Sequence, residues 1–398
     1  MGETLMDVTQ RGIIILLRSS LTEEKLPLPE GFDLEAAYPH ALRHGVIAMV
    51  YDGALRCGLD KKTPVMQKLF QGYIKCTMHS EGQMAVLEKL CSALDERGFD
   101  HLLLKGGILK RLYPKPELRQ MGDADILIRE AQYEAICPVM EELGFCNTAQ
   151  GFYDYGWKSP ELYVELHHHL SNPYNADFND YLGDGWPRAK KYAGGRCRYE
   201  YSAEDHYIYL FIHFTKHYRD GGIGLKHAAD LWVYRKHNPS MDEAYVKNEL
   251  EKMGLQVFYT NVMRMIAVWF EDVESDDVTE FITQTVFGSG AFGTGEAIRQ
   301  AVSLRAANKT GTVKSAKAWR VVRMLFPGRV AMLPRYPVLK DHPALLPFLW
   351  PVRWGSALLF RRDNIQKQRE YVRESSEESI ESYRQALSYV GLDYTIKD

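Results

Sequence analysis

Two aspartates stand one residue apart in LRQMGDADILI (residues 118–128), directly before an apolar run typical of a buried strand. Carboxylates this close repel each other, and burying them is costly unless a cation lies between them. On extended backbone, Asp123 and Asp125 point to the same side, about 6.6 Å apart along the chain. The pair indicates a site for a divalent cation such as Mg²⁺, of the kind used in phosphoryl and nucleotidyl transfer. The pair alone leaves a solvated turn as the alternative.

A phosphate-binding pattern precedes the two aspartates. The apolar run HLLL (residues 101–104) predicts a strand, and Lys105, Gly106 and Gly107 follow it as a turn into a short helix. Free N–H groups at such a turn, together with a lysine, favour a phosphate. Arg119 could bind a phosphate or hold the aspartate loop through a bidentate pair. A plain turn and a surface ion pair are the alternatives.

A third carboxylate lies on another predicted strand, YVELH (residues 163–167). The alternation predicts that Val164 and Leu166 face the core, while Glu165 and His167 share the opposite face. An acid in the middle of a strand suits a metal ligand or a base that activates an attacking hydroxyl. The alternative is a face that is simply exposed to water.

Histidines offer competing metal sites. In HHH (residues 167–169), only His167 and His169 could converge on a zinc ion, because adjacent residues of a strand point to opposite faces. His213 and His217 share one helical face at i, i+4, but HFTKH lacks the glutamate of the HExxH motif. With Lys216 and a glycine-rich turn nearby, this helix could instead close over phosphates or an acceptor. Ordinary core or surface histidines are the remaining alternative.

These residues need a small sheet to position them, with helices around it. Helical periodicity dominates the chain before residue 90 and after residue 203, and the strand candidates fall between. We therefore predict an α+β protein with a mixed sheet. Its predicted parts are an N-terminal helical region (1–90), an α/β core (91–202) and a C-terminal helical region (203–398).

Three segments resemble a bacterial family of uncharacterised nucleotidyltransferases in the polymerase β-like superfamily: LLLKGGILKRLYP, LRQMGDADILI and VELHHHL. The resemblance implies a small mixed sheet with helices. It also implies transfer of a nucleoside monophosphate from an NTP with Mg²⁺, or Mn²⁺, and release of pyrophosphate. Asp123 and Asp125 match the metal-binding pair and Glu165 the third acid. The phosphate turn of the superfamily corresponds to the Lys105-Gly106-Gly107 segment, although the usual serine is a glycine here.

The resemblance continues in HFTKHYRDGGIGLKHAADLW (residues 213–232), which is similar to a helical motif of the family. It implies an acceptor or phosphate side of the site. The residues assigned to that side are His167, His213, Lys216, His217 and Asp230. The acceptor, which could be a small molecule, a protein or RNA, is left open, as is the oligomeric state. The KGG and DxD signature is also similar to that of the nucleotidyltransferase toxins of toxin–antitoxin systems.

Composition narrows the function class further. The net charge of −3 predicts no general affinity for nucleic acid or membrane, although residues 304–370 carry 14 Lys/Arg against 3 Asp/Glu. The six cysteines contain no CxxC pair, which favours reduced thiols and a cytoplasmic location. The apolar stretch at 345–360 is too interrupted to span a bilayer. Two other functions stay open: a non-catalytic binding or regulatory module, and a metal-dependent hydrolase that uses the histidines.

Overall fold

The structure is a computed structural model that describes residues 6–151, 153–171 and 176–290, parts of 301–360, and residues 377–392. The chain divides into two compact units. One comprises Met1–Thr294 with Tyr389–Leu392, and the other comprises Gly295–Ser388 with Asp393–Asp398. All residues predicted to do chemistry lie in the first unit. The three-part division drawn from the sequence stays a prediction.

The N-terminal part of the first unit is helical. Its helices are α1 (Val8–Thr22), α2 (Leu34–His44), α3 (Ile47–Arg56) and α4 (Pro64–Glu96). Polar N-cap side chains begin three of them, because a side-chain oxygen satisfies a free N–H of the first turn. The long α4 ends just before Gly98, whose φ of +83° favours glycine. Helix α4 thereby delivers the chain to the first strand.

A seven-stranded mixed sheet follows, in the order β3-β4-β5-β2-β1-β7-β6. The strands are β1 (His101–Leu103), β2 (Ala124–Ile128), β3 (Cys146–Gln150), β4 (Asp154–Lys158), β5 (Tyr163–His167), β6 (Lys190–Lys191) and β7 (Arg198–Glu200). The interspersed helices are α5 (Lys105–Leu109), α6 (Tyr133–Glu142) and α7 (Ala176–Leu182). Central strand β2 pairs with β1 in antiparallel and with β5 in parallel orientation. The predicted mixed sheet with flanking helices is confirmed.

One face of this sheet is apolar and packs on helices α4 and α6. Ala124 and Ile126 of β2, and Val164 and Leu166 of β5, are fully buried in this core. Because side chains alternate along a strand, Asp125 and Glu165 must then point to the other face. The core on one side therefore fixes which face carries the acids.

Five helices complete the first unit before residue 290: α8 (Ala203–Arg219), α9 (Leu225–His237), α10 (Glu243–Glu251), α11 (Gln256–Phe270) and α12 (Asp277–Ser289). Ser202 caps the beginning of α8. A glycine-rich turn (residues 221–224) then connects the end of α8 to α9. Helices α8 and α9 carry the histidine motif. The predicted helical character of this region is confirmed.

The described parts of the second unit include the helices Arg329–Met332, Leu346–Phe360 and Glu377–Tyr389. About half of the basic segment 304–370, including 11 of its 14 Lys/Arg, lies outside the described residues. In the described stretches of the chain, no helix is both long and apolar enough to cross a membrane.

Candidate functional site

The acids of β2 and β5 lie side by side. The parallel register of the two strands places Asp125 opposite Glu165 and Leu127 opposite His167. The ligand atoms of Asp125, Glu165 and His167 all lie within 4.8 Å of one another. Asp123 lies just before β2 and lines the same cleft as Asp125. The structure therefore places Asp125, Glu165 and His167 together on two neighbouring strands. Asp123 and Asp125 line the cleft, whereas Glu165 and His167 are not part of its lining.

Asp125 is buried and receives two charged donors on the same oxygen. Lys105 Nζ lies 2.7 Å and His167 Nε2 lies 3.0 Å from Oδ1 of Asp125. Burial alone would raise the pKa of Asp125, but Lys105 and His167 hold it below its ordinary value. Burial alone would lower the pKa of His167, but hydrogen bonds to Asp125 and Glu165 raise it to about 9. Asp125 is thus held ionised, with positive charge on both sides.

Asp123 has a different environment from its neighbour. The negative charge of Asp125 and then burial raise the pKa of Asp123 above its ordinary value. Among the described residues, no cation lies within ion-pair distance of its carboxylate. Asp123 therefore faces the cleft without a direct ion pair, although Lys105 and Lys226 partly offset its charge, and a bound cation would relieve its repulsion with Asp125.

The glycine segment differs in detail from its prediction. Helix α5 begins at Lys105 itself, so Gly106 and Gly107 lie in its first turn rather than in a turn before it. A Cβ on Gly106 would lie 2.8 Å from Sδ of Met121 and 3.1 Å from the backbone oxygen of Asp123. A Cβ on Gly107 would instead meet Leu87 of the core at 2.7 Å. Gly106 therefore lets α5 approach the aspartate loop, and Gly107 lets it pack on α4.

Arg119 is paired with Asp230 and not with the aspartate loop. Its Nε and Nη2 donate to the two carboxylate oxygens of Asp230 at 2.7 and 2.8 Å, and both side chains are buried. The hydroxyl of Tyr113 also donates to Asp230 at 2.7 Å. Arg119, predicted on the nucleotide side of the site, and Asp230, predicted on the acceptor side, thus form one buried bidentate pair. The pair joins the segment before β2 to helix α9.

An open cleft lies between the beginning of the central strand β2 and helices α8 and α9. Its empty space, including the part open to solvent, is about 510 Å³. It is lined by Lys105, Gly106, Arg119, Asp123 and Asp125 from the core, and by His213, Lys226, His227 and Asp230 from the helices. Lys216 lies outside this lining, with its ammonium 5.5 Å from the centre of the Tyr153 ring. The cleft therefore joins the acids of the sheet to part of the helical motif.

Two lining residues were missed by the sequence reasoning. Lys226 and His227 stand in GGIGLKHAAD, at the beginning of α9, where a glycine-rich turn precedes them. Among the described residues, Lys226 has no carboxylate within ion-pair distance. The sequence did contain a signal for these two residues. A glycine-rich loop precedes α9, and the first turn of the helix carries both a lysine and a histidine.

The consecutive histidines do not form the zinc site considered above. His167 contacts Asp125, whereas Nδ1 of His169 lies 3.1 Å from Nδ1 of His168. Among the described residues, His169 is not part of any group of side chains placed closely enough to bind a metal ion. Strand β5 ends at His167, so the alternation that would place His167 and His169 on one face does not extend to His169.

Comparison with known proteins identifies the family of this chain. A family model described as uncharacterised nucleotidyltransferase matches residues 30–271, which span the sheet, the cleft and helices α2 to α11. No curated protein matches this chain significantly. Among solved structures, the solution structure of the antibiotic-resistance factor ANT(2'')-Ia is similar, with 12% identity and a TM-score of 0.33. That similarity covers 46% of this chain and 92% of the other. Because the family model covers more than half of the sequence, this chain belongs to the family of uncharacterised nucleotidyltransferases.

Proposed function

We propose that this chain is a metal-dependent enzyme that transfers a nucleoside monophosphate from an NTP to an acceptor hydroxyl or phosphate and releases pyrophosphate. One observation carries the proposal: Asp125 lies opposite Glu165 on two parallel strands, and Asp125 and Asp123 line a cleft that also contains Lys226, unpaired among the described residues. Membership in a nucleotidyltransferase family supports the reaction class.

The donor set fits a divalent metal. Mg²⁺ and Mn²⁺ prefer oxygen ligands, and Asp123 is a carboxylate whose raised pKa reflects the nearby charge of Asp125. We therefore assign the metal to Asp123, Asp125 and Glu165. When bound, such a metal neutralises charge on the triphosphate and makes the attacking oxygen more acidic.

The cations of the cleft divide into paired and unpaired groups. Arg119 is fully occupied by Asp230, and Lys105 pairs with Asp125. Lys226 lines the cleft without an ion-pair partner among the described residues. We therefore assign the triphosphate to Lys226 together with Lys105, and we give Arg119 the role of holding α9 against the core. This assignment moves one phosphate contact from Arg119 to Lys226.

The reaction then follows from the placement of these groups. The acceptor oxygen forms a bond to the α-phosphorus, and the bond from that phosphorus to the oxygen bridging to the β-phosphate breaks. Glu165 takes the proton of the acceptor hydroxyl, and pyrophosphate leaves with the bridging oxygen. His167 lies 3.4 Å from Oε2 of Glu165 and contacts Asp125, so it fixes the two carboxylates relative to each other.

The test measures transfer directly. The full chain is incubated with Mg²⁺ and each labelled NTP, with and without candidate sugars, antibiotics, proteins or RNA, and pyrophosphate release and labelled product are measured. We expect release by the wild type and none by Asp123→Asn, with an unchanged circular dichroism spectrum. The matched control is Asp60→Asn in an exposed loop, which should keep full activity. Full activity in Asp123→Asn would refute the assignment.

A second candidate is a non-catalytic nucleotide-binding or regulatory module on the same fold. The observation that favours it is the ion pair between Lys105 and Asp125, because it already neutralises one proposed metal ligand. Nucleotide binding without pyrophosphate release, in the presence of all acceptor classes, would select this module. For either function we propose a cytoplasmic location, since the six cysteines are free thiols.

A further inference from the structure

Three histidines from two helices meet beside the cleft. His213 and His217 stand at i, i+4 on α8, and their ring centres are 4.4 Å apart. His227, in the first turn of α9, lies 5.1 Å from His217 and 6.0 Å from His213 by ring centres. One nitrogen from each ring lies within 4.8 Å of the others. The proposed nucleotidyl transfer uses none of these rings.

Backbone groups contact two of the rings at Nδ1, which leaves Nε2 of each ring for a metal. Nδ1 of His217 lies 3.0 Å from the carbonyl oxygen of Gly222. Nδ1 of His227 lies 3.2 Å from the carbonyl oxygen and 3.1 Å from the N–H nitrogen of Gly224. When Nδ1–H donates to a carbonyl, the lone pair of Nε2 is free to bind a metal, which is the usual arrangement around ligating histidines. At His227 the Gly224 N–H donates to Nδ1, so metal binding there exchanges this bond for one from Nδ1–H to the Gly224 carbonyl oxygen.

The third ring is free to join them. Among the described residues, His213 has no hydrogen-bond partner for either nitrogen. Its ring lines the cleft together with that of His227. The His213 ring is half-buried, so a metal ion that enters the cleft reaches its free nitrogens without first breaking a hydrogen bond.

We propose that His213, His217 and His227 bind one transition-metal ion of the zinc class, with the fourth coordination position open to the cleft. Zinc bonds to histidine nitrogen of about 2.0–2.1 Å place the nitrogens about 3.3 Å apart in a tetrahedral site. The nitrogens lie within 4.8 Å of one another without a metal, so metal binding requires the rings to move closer together. Imidazole donors favour zinc-class metals over Mg²⁺, so this site is chemically distinct from the carboxylates.

The surrounding charges define the fourth ligand. Lys105 and Lys226 line the cleft together with His213 and His227, and Lys216 directly precedes His217 on α8. The same lysines disfavour an uncompensated divalent ion, so the fourth ligand is an anion, either hydroxide or a phosphate oxygen. The site thus pairs a metal with an anion facing the cleft.

The test uses metal content and not activity, so its outcome does not depend on nucleotidyl transfer. The full chain is stripped with a chelator, loaded with Zn²⁺ or Co²⁺, and desalted, and bound metal is measured by mass spectrometry. We expect about one tightly bound ion, and a Co²⁺ absorption spectrum of tetrahedral intensity. His227→Ala should lose both, while His237→Ala, at an exposed position on the same helix, should keep them.

Two further measurements keep the proposal falsifiable if His227→Ala fails to fold. X-ray absorption of the zinc-loaded wild type should show imidazole scattering, and Asp123→Asn should retain the zinc. Absence of bound zinc in the wild type would overturn the proposal, as would zinc that is lost in Asp123→Asn but kept in His227→Ala.

Discussion

At the scale of single residues, the cleft separates side chains that are already paired from those that are not. Asp125 is neutralised by Lys105 and His167, whereas Asp123 and Lys226 have no ion-pair partner among the described residues. Unpaired charges that face a cleft are available to a ligand without first breaking an existing contact. Asp123 and Lys226 can therefore bind a ligand directly, whereas Lys105 and Asp125 must first give up their contact with each other.

Replacement of Lys226 by Met should weaken NTP binding roughly tenfold or more, because a hydrogen bond to a charged group contributes about 1.5–3 kcal/mol. Isothermal titration calorimetry with a nonhydrolysable NTP measures the change. Lys236→Met, at an exposed position on the same helix, is the control and should bind normally. Equal affinity in the Lys226 variant and the wild type would remove Lys226 from the triphosphate site.

Two glycines near the aspartates should respond differently to the same substitution. Gly106→Ala should destabilise the protein by about 1–3 kcal/mol, because its Cβ meets Met121 and the backbone of the aspartate loop. Gly122→Ala should leave stability nearly unchanged, because a Cβ there meets no atom within 4 Å. Urea denaturation measures both. If the two variants prove equally stable, close packing of α5 on the loop is not what requires a glycine at 106.

At the scale of elements, the buried pair of Arg119 and Asp230 fixes helix α9 against the segment that precedes β2. The hydroxyl of Tyr113 completes the hydrogen bonding of this carboxylate. Helix α9 carries Lys226, His227 and Asp230 within two turns, so the pair sets the distance between the phosphate-binding lysine and the acids of the sheet. Arg119 therefore acts as a positioning residue.

Removal of one member of this pair should cost about 3–5 kcal/mol of unfolding free energy, because the other charge stays buried without a partner. Asp230→Ala is the variant, and chemical denaturation is the measurement. Tyr113→Phe, which keeps the ion pair, should cost only about 1 kcal/mol. The double variant Arg119→Met with Asp230→Leu should regain much of the loss. A double variant no more stable than Asp230→Ala would contradict this account.

At the scale of the whole molecule, buried neutral histidines make the first unit sensitive to acid. His206 of α8 is buried among the rings of Tyr201, Tyr209 and Tyr234, and its Nε2 has no hydrogen-bond partner. Burial lowers the pKa of His206 to about 4. Since the unfolded chain takes up this proton near pH 6.5 and the folded chain does not, stability falls as the pH drops from about 6.5 towards 4.

The variant His206→Phe should remove this part of the pH dependence. By linkage, the wild type should lose about 2 kcal/mol at pH 5 relative to pH 7.5 from this residue alone. Urea denaturation at the two pH values, for the wild type and the variant, measures the difference. The exposed His237→Ala variant should retain the wild-type pH dependence. Identical pH dependence in wild type and His206→Phe would show that the folded protein accommodates the charged imidazole.

The sequence by itself determined the local elements and the face of each acid. The apolar alternation of β2 and β5 predicted that Ala124 and Val164 face the core, which forces Asp125 and Glu165 to the opposite side. The motif around the aspartates also indicated the family, and the family model covering residues 30–271 confirms it. These features are local, because the periodicity of a strand and the spacing of a motif are written within a few residues.

Only the tertiary structure decided which distant residues share the site. Arg119 and Asp230 are 111 positions apart and form one pair, and His227 joins His213 and His217 across the turn between two helices. Helix α5 also begins at Lys105, one turn earlier than its glycines suggested. Such contacts depend on how helices α8 and α9 pack against the sheet. Packing arises from the summed burial of many side chains, so no short segment of sequence encodes which charges become paired and which remain available to a ligand.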